Sequence, residues 1–87
     1  MKFRIILEPR MLREDFPKIP HDSRHQIERA INERLTVAPL EFGKQLQYSL
    51  KSLRCLRVGD WRVAYRVEVN TVTIVRIQNR RDAYKGW

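Results

Sequence analysis

The dipeptide Gly59-Asp60, with alternating residues on both sides, constrains this chain more than any other feature of its sequence. A two-residue Gly-containing turn between two alternating runs reads as a β-hairpin, because such turns need a positive φ that glycine adopts without strain. Pairing outward from that tip sets Val58 against Trp61, Arg57 against Arg62, Leu56 against Val63 and Cys55 against Ala64. Strand side chains point alternately to two faces. Leu56, Val58, Trp61, Val63, Tyr65 and Val67 therefore share one face, joined by Val72 and Ile74 of the next strand, and that face is the expected core. Arg57, Arg62 and Arg66 share the other, and parity adds Asn79 and Arg81 if the last strand runs that far. A second turn is expected within Val69-Asn70-Thr71, which gives strands near Leu50–Val58, Trp61–Val67 and Val72–Gln78.

The first half of the chain has a different period. Phe3, Ile5 and Leu7 alternate with Lys2, Arg4 and Glu8, the pattern of a half-buried strand. Pro9 suits a first helical position, and Leu12, Phe16 and Ile19 follow at helical spacing until Pro17 interrupts, so this first helix is expected to be short or kinked. Ser23 with Gln26 forms a candidate capping box for a second helix. Ile27, Ala30, Ile31, Leu35 and Ala38 make its apolar stripe, and Pro39 ends it. Residues 38–45 read as a connection with Gly43 as its flexible point. Strand, two helices, three strands predicts an α+β fold: a mostly antiparallel sheet with the helices packed on one face.

Eighty-seven residues are expected to form one domain over 1–87. The net charge is +8, and its placement matters more than its size. Residues 1–43 carry eight Lys/Arg and seven Asp/Glu, whereas residues 44–87 carry ten and three, so seven of the eight excess charges lie in the second half. That asymmetry points to a polyanionic partner: nucleic acid, an acidic protein segment or an anionic membrane surface. A plain solvated basic surface is the alternative. One cysteine, Cys55, excludes an internal disulfide. No Cys/His cluster at metal-ligand spacing is present, so neither a metal nor another cofactor is expected. No apolar run is long enough to span a bilayer, and the N-terminus lacks the apolar stretch of a signal peptide, so a cytoplasmic protein is expected.

Two arginines directly opposite across a hairpin repel, at a cost of roughly 0.2–1 kcal/mol. An anionic ligand offsets that cost, and phosphate matches the planar guanidinium fork. The alternative is that both side chains splay into water or meet a carboxylate. The tail Asn79-Arg80-Arg81-Asp82-Ala83-Tyr84-Lys85-Gly86-Trp87 interleaves basic and aromatic groups, the pairing by which single-stranded RNA is held: cations on phosphate, rings on bases. His21 and His25 stand four apart at a helix start, with no third ligand evident, and are expected to be solvated. Cys55 has no evident base and reads as a small filler.

The stretches Phe42-Gly43-Lys44-Gln45-Leu46 and Leu53-Arg54-Cys55-Leu56-Arg57-Val58-Gly59-Asp60-Trp61-Arg62-Val63-Ala64-Tyr65-Arg66-Val67, with the closing Asn79-Arg80-Arg81-Asp82-Ala83-Tyr84, resemble the RelE/ParE toxin superfamily. The resemblance implies a small toxin neutralised by a cognate antitoxin protein. In the RelE branch it implies a metal-independent endoribonuclease that cleaves mRNA in the ribosomal A site. In the ParE branch it implies a non-enzymatic poison of DNA gyrase. A catalytically weak RNA-binding homologue is a third alternative. Carried over by position, Arg62 matches the hairpin arginine, Arg81 (or Arg80) the arginine after the last strand, and Tyr84 the tyrosine. The strand lysines of the RNA-cleaving members are not matched, since Leu53 and Cys55 stand there, with Lys51 and Arg54 nearby. Lys44, Lys51, Arg54, Arg57, Arg80 and Lys85 are the expected phosphate contacts. With no histidine near this set, Tyr84 is the candidate base that takes the 2′-OH proton, with arginines favouring its phenolate form, and Arg62 and Arg81 are the expected catalytic stabilisers of the charge that builds on the phosphate.

Overall fold

The fold is known from a computed structural model that describes residues 2–45 and 53–81. It is the expected α+β arrangement. Strand β1 (Arg4–Leu7) leads into helix α1 (Pro9–Glu14), a 3-10 turn at Phe16–Lys18 and helix α2 (His21–Ala30). A wider π turn, Ile31–Leu35, continues α2, with the amide of Thr36 reaching back to the carbonyl of Ile31. A short helix α3 (Pro39–Phe42) and strands β2 (Lys44–Gln45), β3 (Arg54–Val58), β4 (Trp61–Glu68) and β5 (Thr71–Asn79) follow. The sheet order is β1-β5-β4-β3-β2, with β1 parallel to β5 and the other pairs antiparallel.

The hairpin register is the expected one: Val58 pairs with Trp61, Arg57 with Arg62, Leu56 with Val63 and Cys55 with Ala64. One sheet face, carrying Leu56, Val58, Val63, Tyr65, Val72, Ile74 and Ile77, packs on Met11, Ile19, Ile27, Ala30, Ile31 and Leu35 from the helical layer. Trp61 and Val67 pack against this core from its margin.

Several local expectations give way. In the first helix Met11, not Leu12, is buried, and Leu12 is exposed, because the turn ends at Glu14 and a separate 3-10 turn carries the chain to Ile19. Arg24 bonds the carbonyls of Ile19 and Phe16 and lies 4.4 Å from the centre of the Phe16 ring, closing that turn. Helix α2 begins at His21 behind Pro20 with no side-chain cap, so Ser23 and Gln26 form no capping box. Pro39 opens α3 rather than merely ending α2, the position where its missing N–H costs nothing.

Gly43 is a point of close approach, not a flexible link. It is buried, and a Cβ there would lie 1.9 Å from the Tyr65 hydroxyl. That hydroxyl donates to the carbonyl of Pro39 at 2.5 Å, tying α3 to β4. Burial pushes the Tyr65 phenol above its ordinary pKa, with the Arg54 side chain acting in the opposite direction.

Candidate nucleic-acid interface

The sheet face turned away from the helices carries the arginines. Arg57 and Arg62 stand directly opposite each other, and Gln78 of β5 is the next residue across. Arg57 is exposed and Arg62 half-buried. One rung away, Lys44, Cys55 and Ala64 line up, with Cys55 and Ala64 buried and Lys44 exposed. The result is a low floor of two small side chains bordered by Lys44, Arg57 and Arg62. Burial pushes the Cys55 thiol above its usual pKa, while Arg62 and then Arg57 pull the other way. Cys55 therefore reports the positive field of this face without being a thiolate nucleophile. Farther along, Arg66 is on the same face but is paired with Glu68 at 2.6 Å.

Strand β5 departs from simple alternation. Ala64 pairs with Arg76 and Tyr65 with Ile74, so Val75 is an extra residue and the strand bulges. Before the bulge Val72 and Ile74 face the core; after it Ile77 does, and Asn79 pairs with Trp61. The expectation that Asn79 lies on the face of Arg62 is thus corrected: one inserted residue flips every later side chain. Gln78 takes the place beside Arg62 instead.

The bulge is held from the side. Strand β1 covers β5 only as far as Ile74. Beyond it, Asp15 takes over as partner of the exposed edge. Its Oδ2 accepts from the amide of Ile77 at 3.0 Å and from Nε of Arg76 at 3.0 Å, and its Oδ1 accepts from Nη2 of Arg76 at 3.1 Å. Asp15 is only 5% exposed, and this pairing raises the pKa of Arg76 still further. A buried carboxylate in such a place needs both partners.

Next to this edge opens a cleft of about 1050 Å³ whose walls include Lys18, Asp60, Trp61, Asn79, Arg80 and Arg81. The amide of Arg80 bonds the carbonyl of Asp60 at 2.7 Å, and the amide of Arg81 bonds Oδ1 of Asn79 at 3.1 Å. Arg57 and Arg62 do not line it. The basic groups expected to converge are therefore divided: Lys44, Arg57 and Arg62 on the open sheet face, Arg80 and Arg81 at the cleft around the end of β4 and β5. Arg54 belongs to neither. It pairs with Tyr65 on the helix side, and its Nη2 donates to the carbonyls of Leu40 at 2.8 Å and Gly43 at 2.5 Å, so it closes α3 rather than meeting phosphate. Lys51, Tyr84 and Lys85 lie outside the described residues. Lys18, Trp61 and Gln78 are the neighbours that parity and motif had not indicated. The signal for Gln78 is the spacing of three from the apolar Ile74 to Ile77, with two residues between them where alternation leaves one.

A family model described as the ParE toxin of the type II toxin–antitoxin system parDE matches residues 5–84. The chain belongs to this family. The toxin is also similar to solved members of the RelE branch of the same superfamily. It is 26% identical to a chain of the toxin–antitoxin complex RelBE2 from Mycobacterium tuberculosis, with a TM-score of 0.81 over 94% of this chain and 95% of that one. A chain of the RelB–RelE antitoxin–toxin complex from Methanococcus jannaschii gives 19% identity and a TM-score of 0.74 over 94% and 98%. A doubly substituted Escherichia coli RelE in the free state gives 20% and 0.73 over 97% and 90%. No curated protein sequence gives a significant match. The chain is thus a toxin of a type II toxin–antitoxin system. Among its described residues no helix is long and apolar enough to cross a membrane, and no three His, Cys, Asp or Glu side chains gather as metal ligands.

Proposed function

We propose that this toxin is a cytoplasmic, ribosome-dependent endoribonuclease that cleaves mRNA in the A site, held inactive by a cognate antitoxin. The observation that carries this reading is the Arg57–Arg62 pair, set side to side on the sheet face opposite the one that packs on the described helices. Two opposed guanidiniums on a floor as low as Cys55 and Ala64 match a phosphodiester, whose two free oxygens accept from both forks at once. Cleavage then runs by attack of the 2′-oxygen on the adjacent phosphorus. The 2′-OH proton leaves to a base, the P–O5′ bond breaks as the 5′ oxygen takes a proton from water, and the products are a 2′,3′-cyclic phosphate and a 5′-hydroxyl end.

In this reading Arg62 and Arg57 stabilise the charge that builds on the pentacoordinate phosphorus. Lys44 holds a neighbouring phosphate. Tyr84 serves as the base, and Arg80 and Arg81 grip the RNA as it rounds the end of β5. Such a set is short of a strong base, which suits an enzyme that depends on the ribosome to hold its substrate in a reactive geometry.

A second reading is supported by the family match itself, which is to the ParE model, and by the separation of Arg81 from the Arg57–Arg62 face. Under it the same surface docks on DNA gyrase and no bond in RNA is broken. Purified toxin added to translating ribosomes separates the two. We expect new 5′ ends within codons, lost in Arg62→Ala and reduced in Tyr84→Phe. Intact mRNA together with inhibited supercoiling by gyrase would overturn the nuclease reading in favour of the second.

A further inference from the structure

Away from the arginine face, at the start of α2, two imidazoles meet on the surface. His21 and His25 are both exposed, and their Nε2 atoms lie 3.2 Å apart with the ring planes at 90°. Positions four apart on a helix lie one turn above the other on the same side. Nitrogens bound at ordinary zinc–imidazole lengths to one ion are about 3.3 Å apart in a tetrahedral site and about 2.9 Å apart at a right angle. The observed separation, spanned by a hydrogen bond from one ring nitrogen to the other, falls between these values, so an ion that displaces the shared proton meets both nitrogens at chelating distance.

We propose that His21 and His25 form a two-nitrogen chelate for a divalent transition-metal ion of the class that prefers imidazole: Cu²⁺, Ni²⁺ or Zn²⁺. The exposed Nε2 edges leave the remaining coordination positions to water, since among the described residues no third His, Cys, Asp or Glu completes a group. The site is therefore an exchangeable one rather than a closed structural centre. The bound ion ties the first turn of α2 across residues 21 and 25. Pro20 and Lys18, just before that turn, line the cleft beside Arg80 and Arg81, so the chelate stiffens one wall of it. This inference stands apart from the nuclease reading, because it concerns residues that reading does not use.

The test is calorimetric titration of the untagged full-length toxin with each ion alone in a non-coordinating buffer, alongside electron paramagnetic resonance of the Cu²⁺ form. We expect one ion per chain, tightest for Cu²⁺ in line with the general affinity order of divalent metals. We expect hyperfine structure from two equivalent nitrogens. His21→Gln and His25→Gln should each weaken binding at least ~10-fold by removing one nitrogen of the chelate, and a melting temperature raised by the ion in the native sequence should stay unmoved in either variant. Equal binding by the double variant, or a spectrum showing one nitrogen or a sulfur ligand, would overturn the proposal. The spectrum needs no substitution, so it decides the matter even if a variant misfolds.

Discussion

The β3–β4 hairpin and strand β5 are built from the same alternation of apolar and polar residues, yet only one of them keeps it. In the hairpin the turn at Gly59-Asp60 fixes the register, and every pair from Val58–Trp61 to Arg54–Tyr65 follows in step. In β5 the alternation breaks at Val75, and the strand needs a carboxylate from another element, Asp15, to satisfy the edge that β1 leaves open. A turn acts over a few residues and is written beside the strands it registers. A bulge held from sixty residues away depends on tertiary contact. The difference divides the basic surface: the hairpin arginines stay together on one face, while the arginines after β5 are carried round to the cleft.

The largest effect expected from breaking this comparison is at Asp15. Replacing it by Ala leaves the buried amide of Ile77 without an acceptor, at about 1–3 kcal/mol, and strips Arg76 of its partner. The Arg76 side chain is 25% exposed, so water takes part of that role. A loss of about 2–3 kcal/mol in urea unfolding is expected, less than the cost of orphaning a fully buried ion. Asp15→Asn should lose less, because its carbonyl oxygen still accepts from Ile77. If Asp15→Ala is as stable as the parent, the carboxylate is not what holds the bulge.

Next in size is the division of the arginines. Each phosphate contact on single-stranded RNA contributes roughly −0.7 to the slope of log affinity against log salt. Arg57→Gln with Arg62→Gln should flatten that slope by about 1.4, and Arg80→Gln with Arg81→Gln by a similar amount, on the same counterion-release basis. Combining all four should add the two effects if one strand of RNA spans both places. A four-fold variant no worse than either pair alone would mean that the two sets do not bind one strand together.

Much of this was legible in the sequence, and what was not has physical causes. Strand and helix periods, the hairpin register and the core residues Leu56, Val63 and Tyr65 follow from local spacing alone. Asp15 carried no such mark, since its partners Arg76 and Ile77 are remote in the chain. Arg54 looked like a phosphate ligand because basic residues on a strand are read by sign, whereas its hydrogen bonds to Leu40 and Gly43 are set by where α3 ends. Gly43 has the local sequence of a flexible connection, and only the fold brings the Tyr65 ring over it.

A smaller effect concerns the two weak acids buried on opposite faces of the sheet, Cys55 and Tyr65, whose pKa values are both raised by burial. Below the ordinary thiol pKa of about 8.5 both are neutral folded and unfolded, and their contribution to stability is fully present. As pH rises past that value the unfolded chain loses the thiol proton first, and stability declines until the folded group ionises as well. The toxin should therefore unfold more readily as pH rises above about 8.5, and more so above about 10, the ordinary thiol and phenol values. Cys55→Ala should flatten the lower part of the decline and leave the upper part, due to Tyr65, in place. Fluorescence-monitored unfolding across that range measures it. A decline unchanged in Cys55→Ala would assign the lower part to other groups.

The smallest effect compares the two turns directly. Each two-residue turn puts a positive φ on its first central residue: Gly59 at 59° and Val69 at 43°. Glycine adopts this conformation freely, whereas a β-branched side chain in it is strained by about 1–3 kcal/mol. Val69 is 97% exposed, so no burial offsets that strain. Val69→Gly should relieve it but add chain entropy to the unfolded state worth about 0.5–1 kcal/mol, for a net gain of about 1 kcal/mol. Gly59→Val should lose a similar amount for the opposite reason, since open space around Gly59 (Gln26 Oε1 at 3.8 Å is its nearest neighbour) leaves backbone strain as the main cost. Thermal unfolding of the two variants reads both signs. If Val69→Gly fails to stabilise, the positive φ at Val69 costs less than the added entropy, and the second turn is held by the pairing of Glu68 with Thr71 rather than forced by it.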